Sequence, residues 1–146
     1  MQSRIPNWII GTIIAIALVG FSDCIFLLAK SVSGGPIPCF ITTGCDTVTT
    51  SSYSILWGVH LYVWGIAFYL TMGLLALLYW DTKKVIFLKL FSMGSIVGFV
   101  VSLYYLYLQK FVIKAFCIYC IGSIITSSLL FALGILVQKK LREYRE

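Results

Sequence analysis

Two cysteines three residues apart, Cys117 and Cys120, stand where the last long apolar run of the chain begins. A Cys-x-x-Cys pair is typical of redox-active dithiols, although burial for packing and metal binding are alternatives. The apolar run predicts a helix, whose unpaired amides and dipole would stabilise a thiolate at Cys117 and lower its pKa. Cys120 falls on the same helical face, roughly 4.5 Å deeper along the axis. It is therefore better placed to meet an electron acceptor dissolved in lipid.

A second cysteine pair, Cys39 and Cys45, lies in the first long polar stretch, after Ser-Gly-Gly-Pro-Ile-Pro. A flexible loop of this kind gives a sulfur access to two partners, and thiol exchange requires that access. The alternative is a static disulfide that closes a seven-residue loop. Two dithiols in one chain favour a relay, in which the loop pair passes electrons to Cys117 and Cys120.

The chain is too apolar for a soluble globule, since 60% of its 146 residues are hydrophobic and 11% are charged, and its mean hydropathy is +1.00. Four runs reach the roughly 20 residues needed to cross a hydrocarbon core. They are residues 8–29, 57–80, 90–108 and 115–137. The sequence predicts an all-α integral membrane protein, a bundle of four transmembrane helices with a long outer loop between helices 1 and 2. We expect one domain, residues 1–146, in a lipid bilayer.

Basic residues are distributed unequally between the two ends of these helices. Three lie at one end, Lys30, Lys110 and Lys114. Eight lie at the other end: Arg4, Lys83, Lys84, Lys89, Lys139, Lys140, Arg142 and Arg145. Because Lys and Arg are enriched on the cytoplasmic side, both termini are predicted to be cytoplasmic and the cysteines extracytoplasmic, where disulfides form freely. The net charge of +6 follows from this topology, so nucleic acid is not an expected partner.

Asp23 places an acidic side chain in the first apolar run. Such a group is costly in a spanning helix and is expected to face the bundle interior, in the same half of the membrane as Cys120. Helix pairing and proton handling are both open roles for it. Ser123, in the fourth run, serves close packing or directs its hydroxyl to a ligand. Gly94 and Gly98 have the spacing of a helix-packing contact.

The motifs occur in a recognisable order along the chain. They are Gly20-Phe21-Ser22-Asp23 in the first run, Cys39-x5-Cys45-Asp46-x-Val48 and Thr49-Thr50-Ser51-Ser52 in the loop, Gly58 in the second run, and Cys-x-x-Cys at the fourth. In this order the chain resembles the vitamin K epoxide reductase family in its compact four-helix form. The resemblance covers nearly the whole sequence.

The resemblance implies four helices around a quinone, which would be menaquinone, ubiquinone or a vitamin K-like molecule, with a loop helix capping the site. Cys117 and Cys120 would be the active-site pair, with Cys120 nearest the quinone. By the same resemblance, Cys117 exchanges with Cys45, and Cys39 takes electrons from a thioredoxin-fold dithiol protein. Ser51 would lie near the active site. We expect a monomer. Its partner would act in trans, because no thioredoxin-like domain follows the fourth helix.

The implied activity is that of a membrane thiol:quinone oxidoreductase that promotes disulfide formation in exported proteins. The expected quinone-binding residues are Cys120, Ser51, Asp23 and Ser123. Three alternatives are open. One is a thiol-based transporter of soft metal ions, and another is an assembly protein with structural disulfides. The third, vitamin K epoxide reduction in the strict sense, is associated with a tyrosine four residues after the second active-site cysteine, where this chain has Ile124.

Overall fold

The computed structural model describes residues 5–34, 52, 55–114 and 117–145. The elements in order are α1 Asn7–Ser33, β1 Ile55–Leu56, β2 Val59–His60, α2 Leu61–Thr82, α3 Val85–Tyr107, a π-helix Leu108–Ile113, and α4 Ile118–Arg145. Cys39, Cys45 and Ser51, which the sequence assigns to the site, lie outside the described residues.

The four long helices are each long and apolar enough to cross a membrane. Large apolar side chains cover the outside of the bundle. Examples from the four helices are Leu18, Leu70, Met93 and Ile125, all exposed. A surface of this kind is suited to contact with lipid acyl chains, which are as apolar as leucine. The chain is therefore an all-α membrane protein with four candidate spanning helices, as the sequence predicts.

The second predicted span, residues 57–80, begins too early. Ile55 pairs with His60 and Leu56 with Val59 in a small antiparallel hairpin. Its two turn residues, Trp57 and Gly58, have φ of 53° and 79°, as a tight two-residue hairpin turn requires. Helix α2 therefore starts at Leu61. The apolar residues of the hairpin continue the hydropathy of the helix, so composition alone did not separate the two.

The third and fourth predicted spans also differ from the helices that form. Helix α3 begins at Val85 and continues without a break into the π-helix, which ends at Ile113. The residues between the third and fourth predicted runs, 109–114, are thus mostly helical rather than a connecting loop. Helix α4 begins at Ile118 rather than at residue 115, and extends to Arg145. The last turns of α4 contain charged residues, and the predicted apolar run ended before them.

Small residues allow the helices to approach one another closely. The side chains of Met72 and Phe68 in α2 occupy the space that a Cβ would need at Gly94 and Gly98 in α3. The packing role predicted for these two glycines is therefore confirmed. On the other side of α3, Ser92 donates its hydroxyl to the carbonyl oxygen of Gly134 in α4 over 2.8 Å. Interhelical hydrogen bonds of this kind add to packing within a membrane.

The two ends of the bundle are built differently. We call the packed end the one where α1 and α3 begin and where α2 and α4 end. There Ile9, Ile13, Tyr79 and Leu88 are almost completely buried. The opposite end, which we call the cysteine end, contains the start of α2 and α4 and the π-helix. A cavity opens there, as described below.

Candidate functional site

Cys117 immediately precedes α4, and its carbonyl oxygen accepts the N–H of Ile121 over 2.9 Å. This is the bond that an N-cap residue makes at the start of a helix. The side chain is fully buried and packs against Ile113, Ile118 and Tyr119. The expected position near the N-terminus of the fourth helix is therefore observed. Cys117 and Cys120 are both free thiols.

The surroundings of Cys117 favour its thiolate. The pKa of this thiol falls from the ordinary 9.0 to about 7, chiefly because the Cys120 side chain hydrogen-bonds to it. The backbone N–H groups of Cys120 and Tyr119 act in the same direction, while burial and the negative charge of Asp23 oppose them. A sulfur at a helix N-terminus accepts amide hydrogen bonds in just this way. Cys117 is consequently suited to act as an attacking or departing thiolate.

Cys120 lines a cavity of about 530 Å³ at the cysteine end. Its walls come from all four helices, the hairpin and the π-helix, and most of the lining side chains are apolar or aromatic. The volume lies within the range of sites for small molecules and cofactors. Val97 and Val101 of α3 also line the cavity, and both are exposed. The cavity therefore reaches the lipid-facing surface of the bundle.

The sequence assigns four residues to quinone binding, and the structure places three of them. Cys120 and Ser123 line the cavity. Asp23 instead borders a smaller groove between α1 and α4. It accepts a hydrogen bond of 3.0 Å from the Ser123 hydroxyl, so it is joined to the cavity wall through that residue. Ser51, the fourth, is outside the described residues. Ile124 also lines the cavity and presents only hydrocarbon to it.

Tyr69 is a polar residue of this region that sequence reasoning missed. Its hydroxyl donates to the carbonyl oxygen of Ser123 over 3.0 Å and lies 2.6 Å from the Thr126 hydroxyl and 3.2 Å from that of Ser127. The ring passes over Gly20 of α1, where no Cβ would fit. Tyr69 thus ties α2 to α4 beside the cavity. A tyrosine in an apolar run resembles an interfacial anchor, so no sequence pattern distinguishes Tyr69 from one.

Gln109 is the second residue that sequence reasoning missed. It lies in the π-helix, is 1% exposed, and lines the cavity. Its Oε1 accepts the backbone N–H of Cys117 over 3.4 Å. Its Nε2 is buried without a hydrogen-bond partner among the described residues. The available signal was a lone amide side chain that falls between the third and fourth predicted apolar runs.

A bundle of four candidate spanning helices, with Cys117 buried and Cys120 lining an apolar cavity, defines a membrane protein suited to redox chemistry. The chain belongs to the vitamin K epoxide reductase family, whose family model matches residues 11–135. This match runs from the first turns of α1 into the second half of α4, and it confirms the resemblance found in the sequence. Membership supports an oxidoreductase activity in the membrane. A search of curated proteins found no match.

Proposed function

We propose that the protein is a thiol:quinone oxidoreductase that promotes disulfide formation in exported proteins. A thioredoxin-fold partner supplies electrons through Cys39 and Cys45 to Cys117 and Cys120, and a quinone receives them. The observation that carries this proposal is the position of Cys120. It lines the apolar cavity of about 530 Å³, while Cys117 lies at the start of α4 with a pKa lowered to about 7.

The residues of the cavity fit a quinone. The apolar and aromatic walls suit its ring, and the exposed position of Val97 and Val101 gives access from the lipid for an isoprenoid tail. A bound quinone supplies one kind of chemistry, the uptake of two electrons and two protons. Ser123 presents a hydroxyl at the wall, and Asp23 accepts that hydroxyl's hydrogen bond from behind. When Asp23 is protonated, it can donate to the Ser123 oxygen, and the Ser123 hydrogen is then available to a quinone oxygen, so the two residues are suited to pass a proton.

Each of the four cysteines has a different role in the proposed exchange, according to its position. When Cys117 and Cys120 join in a disulfide, the two sulfurs give up two electrons to the quinone, and the two thiol protons balance its conversion to hydroquinone. The pair is reduced again when Cys45 attacks Cys117 and the sulfur of Cys120 departs. Cys39 then attacks Cys45 and releases Cys117, which leaves the loop disulfide for the partner dithiol to reduce. A low pKa makes Cys117 a good leaving group in that last exchange.

We place the cysteine end on the extracytoplasmic side and both termini in the cytoplasm. In support of this orientation, Lys83, Lys84 and Lys139 lie at the packed end, while Lys30 and Lys110 lie at the cysteine end. Excess basic charge marks the cytoplasmic side. We further propose that residues 1–146 act as one domain and as a monomer. The four helices, the hairpin and the π-helix of one chain suffice to form the walls of the cavity, which supports this.

The first test is quinone reduction by purified protein in detergent, with a small dithiol as reductant. We expect Cys117→Ala and Cys120→Ala each to reduce turnover at least a hundredfold, because each variant lacks one sulfur of the disulfide. The matched control is Cys39→Ala, which also removes one cysteine. It should keep its turnover with the small dithiol and lose it with a thioredoxin-fold dithiol. Equal loss in all three variants with the small dithiol would contradict the order of electron flow.

A further inference from the structure

Only one of the two polar groups of the Gln109 side-chain amide has a hydrogen-bond partner among the described residues. Oε1 accepts the backbone N–H of Cys117, whereas Nε2 is buried with no hydrogen-bond partner among the described residues. A buried donor without a partner costs free energy and is rare in folded proteins. The residue also lines the cavity beside Cys120. An unpaired donor at the wall of an apolar cavity suggests that a ligand supplies the missing acceptor.

The orientation of this amide follows from a physical argument. Rotating the group by half a turn would bring its NH2 against the N–H of Cys117, and two donors would then face each other. The orientation with Oε1 toward Cys117 is therefore favoured. It leaves both hydrogens of Nε2 for another partner. The same side chain thus contacts the redox pair through its oxygen and has a donor available through its nitrogen.

The backbone around Gln109 is unusual in a way that supports this role. The last turns of α3 change to a π-helix over Leu108–Ile113, and Lys114 ends it with φ of 56° and an N–H donated to the carbonyl oxygen of Gln109. π-Helical turns are rare and occur frequently at functional sites. Here the wider turn coincides with a glutamine that is 1% exposed, although its neighbour Lys110 is exposed.

We propose that Gln109 is the polar anchor of the cavity, with Nε2 donating a hydrogen bond to a carbonyl oxygen of the bound quinone. This inference rests on the proposed function and adds the group that selects the ligand. An apolar cavity open to lipid also accepts acyl chains, but an acyl chain leaves Nε2 unpaired. A ring that carries a carbonyl oxygen satisfies it. The amide thereby selects a quinone over the surrounding lipid and holds it close to Cys120.

The test compares two ligands of nearly equal shape, 2,3-dimethyl-1,4-naphthoquinone and 2,3-dimethylnaphthalene, which differ by the two carbonyl groups. Trp8, Trp57 and Trp80 are first replaced by phenylalanine, so that the fluorescence comes from Trp64, which lines the cavity. Binding of the quinone to the oxidised protein is measured by quenching of that fluorescence, and binding of the hydrocarbon by displacement of the quinone. We expect the wild type to bind the quinone at least about tenfold more tightly than the hydrocarbon. Gln109→Met, which has similar volume and no donor, should reduce that ratio to about one.

Two further variants separate the donor from the rest of the side chain. Gln109→Glu keeps an oxygen for the N–H of Cys117, and because burial favours the protonated carboxyl, its O–H replaces the amide donor and the preference for the quinone should be kept. Lys110→Gln changes an exposed residue of the same π-helix and should keep it. Thermal melting in detergent confirms that each variant is folded. An unchanged ratio in folded Gln109→Met, or an equal loss in Lys110→Gln, would overturn the inference.

The proposed function can fail separately from this anchor. Wild-type protein that binds the naphthoquinone with the expected preference, and yet does not reduce it, would contradict the oxidoreductase proposal alone. Wild-type protein that reduces the quinone, with Gln109→Met unchanged in binding ratio and in KM, would contradict the anchor alone. If the anchor is correct, Gln109→Met should raise KM for the quinone more than it lowers kcat.

Discussion

The packed end and the cysteine end of the bundle differ in how they treat space and polar groups. At the packed end Ile13 and Tyr79 are fully buried, and the backbone N–H of Ile5 donates to the Tyr79 hydroxyl over 3.1 Å. The cysteine end instead encloses about 530 Å³. Among the described residues, the two buried side-chain nitrogens without a hydrogen-bond partner, His60 Nδ1 and Gln109 Nε2, are both at that end.

This difference indicates a division of roles along the helices. In lipid, moving apolar surface from acyl chains into a helix contact contributes little free energy. Helices therefore associate mainly through close packing. The packed end provides that contact. The cysteine end can then keep a cavity and an unpaired donor, both of which cost stability. On this view, substitutions at the packed end should change stability without changing the chemistry, and substitutions at the cysteine end should do the reverse.

The strongest test of the packed end is Ile13→Ala, which removes a side chain that is 0% exposed. We expect it to lower the free energy of unfolding in detergent by about 2 kcal/mol, or about thirtyfold in the equilibrium constant. Quinone turnover per folded molecule should stay near the wild-type value. The matched control is Ile25→Ala in the same helix, where the side chain is 40% exposed. If both variants lose the same stability, the packed end has no special role.

The acid–base behaviour of Cys117 gives a test of the cysteine end. Its pKa is lowered from 9.0 to about 7, so the thiol is protonated below that pH and the thiolate is present above it. In reduced protein the thiolate fraction should rise about tenfold between roughly pH 6 and pH 8. Ultraviolet thiolate absorbance measures it, with Cys117→Ser as the control that lacks the transition.

The Cys120→Ala variant sharpens this measurement. The hydrogen bond from the Cys120 side chain is the largest cause of the lowered pKa of Cys117. Removing it should move the transition toward the ordinary 9.0. A wild-type transition near that ordinary value would show that the start of α4 does not activate the thiol. The proposed exchange order would then lose its chemical basis.

Much of the fold follows from the sequence because lipid imposes simple requirements. A spanning helix must be long and apolar, and four such runs predict four helices. The position of Cys117 and Cys120 at the start of the last helix follows from the same pattern. The packing role of Gly94 and Gly98 could also be predicted, because only small residues allow close approach. The predicted bounds of the helices were less accurate than their number, because the hairpin at Ile55–His60 is as apolar as the helix that it precedes.

The polar details of the site could not be predicted in the same way. Tyr69 and Gln109 acquire their roles from contacts between helices, with Ser123 and Cys117 respectively. No local pattern encodes such contacts. The π-helix that contains Gln109 has no recognised sequence signal comparable to the apolar period of an α-helix. Asp23 was correctly expected to contact another helix, but its partner Ser123, 100 positions away, could be identified only from the structure.

The smallest expected effect concerns Asp23. This residue borders the groove between α1 and α4 and is joined to the cavity wall through Ser123. Asp23→Ala and Ser123→Ala should each lower kcat about fivefold, because each removes the hydrogen bond that orients the Ser123 hydroxyl. The double variant should lose little more than either single variant, since both remove the same interaction. Ser22→Ala is the control, as it alters the neighbouring hydroxyl on the groove side.

The rate in heavy water adds a readout that a purely structural role would not change. If the pair handles a proton for the quinone, the solvent isotope effect on kcat should change in Asp23→Ala and stay constant in Ser22→Ala. Additive losses in the double variant would mean that the two residues act separately. An unchanged isotope effect together with a lowered melting temperature would assign Asp23 to helix pairing. In that case the structural role of the packed end would extend along α1 to Asp23, and the boundary between the two ends would lie closer to Cys120.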